Sequence, residues 1–283
     1  MRIVVPIKQV PETGAVRMDE ATGTMIREGV EAIVNPLDLY AIETAIRLRE
    51  GVAGVSPAQA ERGRDTRDTA GGEVIALSMG PPKADKAVRE AIAMGRDSGA
   101  LVSDPAFAGS DTWATSYVLA AAIRKLGPFD LVICGERATD GDTGQVGPGI
   151  AAWLDLPVVT YVSKIRELSA SHAVVERLVE DGHEVVRMAL PGLFTVVKEV
   201  GAPRLPTLRG KLKAKAAAVP RWGPGELEVR KEYLGLAGSP TRVVKIFRPT
   251  VARQCRKLVV SDEATAAAAV EEVVEFLKAR QLL

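Results

Sequence analysis

Short aliphatic runs alternate with helical stripes in the first half of the chain. The aliphatic runs, which are typical of strands buried on both faces of a parallel sheet, cover residues 3–7, 74–78, 100–103 and 131–134. Apolar residues spaced three or four apart predict helices through residues 39–48, 87–94 and 113–123, and from near Gln145 to Leu154. Strand alternating with helix predicts βαβ units and a doubly wound, mostly parallel α/β sheet.

The pattern changes after Pro157. Short β-branched segments at 158–165, 173–179 and 184–189 predict added antiparallel strands, and residues 193–197 predict one further core strand. Residues 201–250 have no strong period and many prolines, which favours an arm lying on another surface. Helical spacing returns in the tail, with Ser261 or Asp262 as N-cap. We therefore expect an α/β core at 1–200 and partner contacts from a loop and C-terminal arm at 201–283.

Composition narrows the function classes. The 283 residues include 37 Lys plus Arg and 36 Asp plus Glu, a net charge of +1 that argues against nucleic-acid binding. Two Cys and two His exclude a disulfide framework or a Cys/His zinc cluster and fit a reducing cytoplasm. The apolar run at 3–7 is too short for a signal peptide, and without long apolar runs we expect no direct membrane insertion. The polar stretch 53–72 predicts a mobile excursion of no assigned function.

The segment 135–148, GERATDGDTGQVGP, directly follows the fourth predicted strand. Parallel sheets bind ligands at this edge, and glycines there permit close backbone approach. A helix starting near Gln145 would direct free N–H groups at an anion. These features predict a phosphate cradle with Thr143 and Gln145 as side-chain donors, although a plain glycine-rich turn fits the segment equally well. Asp140 and Asp142 would repel phosphate if they faced it, so we interpret them as caps, turn formers or hydroxyl partners.

Two other strand ends should lie nearby. Asn35-Pro36-Leu37-Asp38 precedes a helix, and Asn35 could contact an adenine or ribose edge or simply cap the helix. Ser78-Met79-Gly80 ends the second strand, where the backbone could pass beneath a base or form a tight turn. Three such turns converging on one edge favour a nucleotide crevice.

The remaining candidates for chemistry are weak. We interpret His172 and His183 as surface residues and Cys134 as a core residue, and Cys255 has no CxxC partner. No Ser/His/Asp or paired-carboxylate arrangement is evident, so hydrolytic chemistry is disfavoured.

Several blocks of the sequence, in order, resemble one known family. They are IVVPIKQVPETG, IVNPLDLYAIETAIRL, VREAIAMGRDSGALVSD, FDLVICGERATDGDTGQVGP and LPGLFTVVKEVGAPRLPTLRGKLKAK. They resemble the β subunit of electron transfer flavoproteins over about residues 1–260. The resemblance implies an adenine-nucleotide-binding α/β fold and a heterodimer with an α subunit that carries FAD.

The resemblance also implies which nucleotide is bound. The β subunit holds AMP in the ordinary branch of the family and a second FAD in the electron-bifurcating branch. The loop Asp-Gly-Asp-Thr-Gly-Gln-Val-Gly-Pro at 140–148 is close to the bifurcating form, with Gly144 in place of the usual Ala, and segments 235–241 and 245–249 also resemble that branch. The cofactor residues so implied are Pro6, Asn35, Pro36, Leu37, Asp38, Ser78, Met79, Gly80, Glu136, Arg137, Ala138, Thr139, Asp140, Gly141, Asp142, Thr143, Gly144, Gln145, Val146 and Gly147.

The resemblance also implies that the family's partner-recognition loop corresponds to residues 203–212. Leu208 takes the position of an anchoring leucine, with Arg204, Arg209 and Lys211 as a basic rim, as expected for an apolar anchor with polar surroundings. The activity implied is bifurcation: NADH gives a hydride to FAD in β, one electron passes through the α-subunit FAD to a quinone- or acyl-CoA-linked dehydrogenase, and the other reaches ferredoxin or flavodoxin. The alternatives are a conventional carrier with structural AMP, and a nucleotide-sensing module without redox function.

Overall fold

The computed structural model describes residues 1–12, 17–18, 25–26, 32–51, 72–242, 244 and 256–283. They belong to two units, Met1–Val244 and Lys245–Leu283. Residues 53–71 of the excursion predicted at 53–72, the segment 245–249 and Cys255 lie outside the described residues.

Thirteen strands are present in the described part of the chain. They are β1 (Arg2–Ile7), β2 (Gln9–Pro11), β3 (Arg17–Met18), β4 (Met25–Ile26), β5 (Ala32–Val34), β6 (Glu73–Met79), β7 (Ser98–Val102), β8 (Leu131–Gly135), β9 (Val158–Leu168), β10 (His172–Val179), β11 (Gly182–Ala189), β12 (Gly192–Val196) and β13 (Arg221–Trp222). The same residues contain six α-helices: α1 (Pro36–Arg49), α2 (Asp85–Met94), α3 (Thr112–Leu126), α4 (Val146–Leu154), α5 (Leu208–Ala216) and α6 (Glu263–Ala279). The four aliphatic runs and four helical stripes predicted from the sequence are thus confirmed.

Nine strands form one sheet in the order β11-β10-β9-β12-β8-β1-β6-β7-β13. The six strands from β12 to β13 pair in parallel, and β10 and β11 add an antiparallel hairpin. Strand β9 joins the two parts because it pairs in parallel with β12 and antiparallel with β10. The prediction of a doubly wound, mostly parallel sheet with antiparallel additions is confirmed.

Apolar side chains fill both faces of the parallel strands. Ile3 and Val5 of β1 pack with α1 and α2, whereas Val4 packs on the opposite face with α3 and α4. Such two-sided burial explains why these strands are continuous aliphatic runs rather than alternating ones. The resulting helix–sheet–helix arrangement leaves the strand ends to form a site.

Residues 201–242 pack on this core. Helix α5 lies against α2, where Arg89 Nη1 donates hydrogen bonds to the carbonyl oxygens of Ala214 and Ala217. Strand β13 extends the sheet beside β7, and Leu227 and Leu234 are buried in the core. The first unit therefore continues to Val244.

The second unit contains helix α6, which begins with a capping box. The Asp262 carboxylate accepts from the Thr265 N–H at 2.8 Å, and the Thr265 hydroxyl accepts from the Asp262 N–H at 3.0 Å. This confirms Asp262 as the N-cap. Val270, Val273 and Phe276 are exposed on the helix. Within the described residues, none of the helices has both the length and the apolarity needed to cross a membrane.

Candidate nucleotide site

The order in which the strands are added to the sheet reverses between β1 and β8, which lie side by side. From β1 it continues to β6 and β7 on one side, and it then returns to place β8 on the other side of β1. Ligands of open α/β sheets bind at such a switch point. The loops that follow β1, β6 and β8 all begin at this edge. The loops after β6 and β8 were singled out from the sequence, whereas the third predicted segment, residues 35–38, follows β5.

The loop after β8 presents a row of backbone donors. Among the described residues, none of the amides from Thr143 to Gly147 donates to a protein group. Gln145 is the N-cap of α4 but makes no side-chain capping bond. Its Oε1 instead accepts from the Thr112 hydroxyl of α3 at 2.9 Å. Amides left without a protein partner among the described residues, at the start of a helix, are a favourable place for an anion.

Two glycines of the loop are required by its shape. Gly144 has φ +64°, which is unfavourable for other residues. A β-carbon at Gly147 would lie 2.7 Å from Thr195 Cγ2 of β12. Helix α4 can therefore approach the strand ends closely only with glycine at this position.

The two loop carboxylates are paired with cations. Asp140 lies 2.6 Å from Lys8 Nζ, and Asp142 lies 2.7 Å from Arg137 Nε. Asp142 also has φ +54° within the turn formed by the Ala138 carbonyl and the amides of Gly141 and Asp142. The two aspartates thus shape the loop, and their charges are offset rather than directed unopposed at the unpaired amides.

Asn35 fixes the position of the same loop. Its Nδ2 donates to the Arg137 carbonyl at 2.9 Å, and its Oδ1 accepts from the Thr139 N–H at 3.2 Å. It is fully buried and is the N-cap residue of α1, as the alternative interpretation predicted, although its side chain makes no capping bond to the helix. With both ends of its amide occupied by the loop, Asn35 supports the site from beneath.

Asp38 is a buried carboxylate in the first turn of α1. Its Oδ2 accepts from the Lys8 N–H at 2.7 Å. Burial raises the pKa of Asp38 to about 7, although hydrogen bonds from the Lys8 amide and Asn35 and the Lys8 charge act in the opposite direction. A β-carbon at Gly135 would lie only 2.5 Å from Asp38 Oδ1, so the end of β8 and the start of α1 interlock.

Two buried hydroxyls at this edge have no hydrogen-bond partner among the described residues. They are Ser78 Oγ at the end of β6 and Thr139 Oγ1 in the loop. Unpaired buried polar groups are costly, and a bound polar ligand would relieve that cost. Burial also raises the pKa of the neighbouring Cys134 thiol, with the Asp38 charge adding to the effect, and Cys134 is a buried core residue as predicted.

The other predicted cofactor residues differ in how far they are buried. Pro6 is buried within β1 opposite Leu77, one residue before the strand ends, and Pro36 is exposed at the first position of α1. Gly80 closes the turn after β6 by donating to the Val102 carbonyl at 3.0 Å. The structure thus brings the three predicted strand ends to one edge.

Sequence reasoning missed three residues that hold the loop in place: Lys8, Thr112 and Thr195. Lys8 follows β1 directly and Thr112 begins α3. Their places at the ends of predicted elements could have marked both residues as candidates from the sequence. Thr195 lies inside an apolar strand, and its role can be identified only from its position beside Gly147 in the structure. His172 was also interpreted too simply as a surface residue, since its ring bonds Glu167 and Ser169 at the β9–β10 turn.

The predicted docking segment has an exposed apolar side. Leu208 is 76% exposed at the start of α5, near exposed Leu205 and Leu212, and Arg209 and Lys211 are also exposed. Arg204 differs from the prediction of a free rim charge. Its Nε donates to Glu43 Oε2 at 2.8 Å and its Nη1 to Glu50 Oε1 at 2.9 Å.

Arg204 therefore tethers the docking segment to α1. Burial alone would raise the pKa of the Glu43 carboxyl, but the hydrogen bonds and charge of Arg204, together with Arg47, lower it. The two carboxylates likewise raise the pKa of Arg204 despite its partial burial. The sequence could not reveal this pairing, since Glu43 and Arg204 are 161 positions apart.

These contacts fit a phosphate-bearing nucleotide. The amide row suits phosphate oxygens, the glycines allow close approach, and the two unpaired hydroxyls offer further polar contacts. Such an arrangement of donors is suited to binding and positioning a group that carries its own chemistry.

Comparison with known proteins shows the family to which the chain belongs. Residues 52–227 match the electron transfer flavoprotein domain family. The chain is 46% identical over 254 residues to an electron transfer flavoprotein subunit beta of Thermoanaerobacterium thermosaccharolyticum, covering 89% of this chain and 90% of the relative. It is 44% identical over 249 residues to the caffeyl-CoA reductase-Etf complex subunit CarD of Acetobacterium woodii, covering 88% of each. It is also 38% identical over 280 residues to the protein FixA of Bradyrhizobium diazoefficiens, covering 96% and 91%.

The fold is of the α/β type, and the family match places the chain in the electron-transfer class. The chain belongs to the electron transfer flavoprotein family and within it to the β subunits.

Proposed function

We propose that this chain is the nucleotide-binding β subunit of an electron-bifurcating electron transfer flavoprotein. The observation that carries the proposal is the row of five unpaired amides from Thr143 to Gly147 at the switch point of the sheet. These amides would bind the phosphates of FAD, and Thr143 and Gln145 would add side-chain donors. AMP is the alternative ligand.

Two observations favour the longer nucleotide. The loop has the Asp-Gly-Asp-Thr form that resembles the bifurcating branch. Pairing of Asp140 and Asp142 with cations also removes the repulsion expected between two carboxylates and a diphosphate.

When bound, the flavin would supply the redox chemistry, accepting a hydride from NADH and releasing electrons singly. This chain would orient the nucleotide and set its electrostatic surroundings. The electrons would reach ferredoxin or flavodoxin and, through the FAD of an α subunit, a quinone- or acyl-CoA-linked dehydrogenase. We expect this to occur in the cytoplasm.

The second unit would contact the α subunit. Helix α6 exposes Val270, Val273 and Phe276, a cost that an apolar partner surface would offset. Two different surfaces within residues 201–283 would therefore contact partners. One is the basic docking segment at 203–212, and the other is the apolar side of helix α6.

The nucleotide content of the complex tests the function. The chain is co-expressed with its α partner, the purified complex is denatured, and the released nucleotides are separated by chromatography. Two FAD per heterodimer are expected. One FAD with one AMP would show a conventional carrier, and adenine nucleotide without flavin would show a nucleotide-sensing module.

A double variant tests the assigned ligands. We expect Thr143→Ala with Gln145→Ala to lower β-site nucleotide occupancy to less than half, because hydrogen bonds to charged phosphate are each worth roughly 1.5–3 kcal/mol. Glu180→Ala, in the exposed turn between β10 and β11, is the control and should retain full occupancy. Full occupancy in the double variant would remove Thr143 and Gln145 from the site.

The docking assignment has its own prediction. Leu208→Ala should lower kcat/KM for electron delivery to an acyl-CoA dehydrogenase about tenfold, since a central apolar anchor contributes one to several kcal/mol. Leu236→Ala, which truncates a leucine that is 60% exposed elsewhere on the unit, should leave that rate unchanged. Equal effects of the two substitutions would contradict docking through α5.

A further inference from the structure

Tyr161 has an unusual backbone conformation beside the nucleotide loop. Its φ is +59°, a left-handed value that is a genuine outlier for a bulky aromatic residue. It lies in a β-bulge of β9, where Phe194 pairs with Val159 and Val196 with Val162, so β9 has one residue more than β12. Strained bulges are typical of functional sites, where they redirect a side chain.

The bulge is fixed by side chains on both neighbouring strands. The Tyr161 N–H donates to the Thr195 hydroxyl of β12 at 3.0 Å, in place of a backbone carbonyl. On the other side, Arg177 Nε of β10 donates to the Thr160 carbonyl at 3.1 Å. Thr195 also contacts Gly147, so the same residue positions the bulge and the start of α4. The backbone conformation of Tyr161 is therefore fixed by hydrogen bonds within the sheet.

The phenol of Tyr161 points to the loop. A β-carbon placed on Gly144 would lie 3.8 Å from the Tyr161 hydroxyl oxygen. Tyr161 is 41% exposed, and its hydroxyl has no partner among the described residues. Packing does not account for a strained, half-exposed tyrosine, whereas a donor positioned beside five unpaired amides has an evident use.

We infer that the Tyr161 hydroxyl is a ligand of the nucleotide's phosphate group and completes the cradle from the β9 side. The inference rests on the proposed nucleotide site and adds a residue outside the segments assigned from the sequence. The amides of Thr143 to Gly147 bind the phosphate from the α4 side, and Tyr161 donates one hydrogen bond from the opposite wall. The residue discriminates a phosphorylated ligand from its nucleoside.

The experiment compares AMP and adenosine binding to the full heterodimer after removal of bound nucleotide, using isothermal titration. Tyr161→Phe removes only the hydroxyl and leaves the ring and the bulge in place. We expect AMP to bind about tenfold more weakly, because one hydrogen bond to a charged group is lost, and adenosine to bind as in the wild type. FAD should weaken by a similar factor. Tyr233→Phe, on the aromatic cluster with Trp113 and Trp153, is the matched control and should change neither ligand.

The outcomes distinguish the two proposals. If the wild type binds nucleotide and Tyr161→Phe preserves the ratio of AMP to adenosine affinity, the Tyr161 inference is overturned while the proposed function stands. If AMP and adenosine weaken equally, the hydroxyl acts through the shape of the site, and the phosphate contact is likewise excluded. If the wild type binds neither AMP nor FAD, the proposed function fails and the role of Tyr161 fails with it.

Discussion

Replacing Asp38 with Asn is expected to flatten the pH dependence of stability between pH 4 and pH 7. Burial raises the pKa of Asp38 from an ordinary 3.8 to about 7. Over that interval the folded chain keeps a proton that the unfolded chain has released, so rising pH favours unfolding. Three pKa units correspond to at most about 4 kcal/mol lost by the wild type relative to the Asn variant, with no further divergence above pH 7.

The measurement is urea unfolding of the full-length chain at several pH values, followed by tryptophan fluorescence. Only the change with pH is interpreted, because Asn also alters the hydrogen bond from Lys8 by a constant amount. Asp181→Asn, in an exposed turn between β10 and β11, controls for the loss of one carboxylate. Parallel curves for the wild type and Asp38→Asn would show that Asp38 titrates alike in both states.

The second large effect is expected at Gly135, where β8 ends. In Gly135→Ala the new methyl group would lie 2.5 Å from Asp38 Oδ1 and 2.9 Å from the Leu37 carbonyl, so the start of α1 must move. We expect the free energy of unfolding to fall by about 3 kcal/mol, within the range of overpacked interiors. Nucleotide occupancy should fall as well, since the same turn carries Asn35, which holds the loop.

Gly141→Ala is the matched comparison. It adds the same methyl group to the same loop region, but no atom lies within 4 Å of the new carbon. The free energy of unfolding should change by less than about 0.5 kcal/mol, as for ordinary surface substitutions. Equal stabilities of the two variants would mean that the close packing of Gly135 against Asp38 is not rigid.

Most of the sheet could be predicted because parallel strands buried on both faces are nearly pure aliphatic runs. Strands β1, β6 and β8 begin and end within one residue of the predicted runs. Helix α5 was missed for a physical reason. Its leucines point to solvent, and it contacts α2 through Ala214 and Gly210, whose β-carbon would lie 2.0 Å from the Ala93 carbonyl oxygen. A helix packed through small residues and backbone has no hydrophobic stripe to detect.

The candidate site likewise has some features that the sequence predicts and others that it does not. Its glycine-rich loop is local in sequence and was predictable from spacing alone, as was the convergence of three strand ends. Lys8, Thr195 and Tyr161 depend on contacts across strands, and no local pattern specifies a bulge or a salt bridge with Asp140. Long-range pairing also made Arg204 a tether where the sequence suggested a free charge.

The tether of Arg204 has a consequence for electron transfer. Helix α1, 14 residues or about 21 Å long, begins at the nucleotide site with Asp38, and its later turns hold the docking segment through Glu43 and Glu50. One rod thus sets the spacing between cradle and docking surface. With a partner docked on α5 and the nucleotide in the strand-end loop, as we propose, the distance between the two would be set by this one helix.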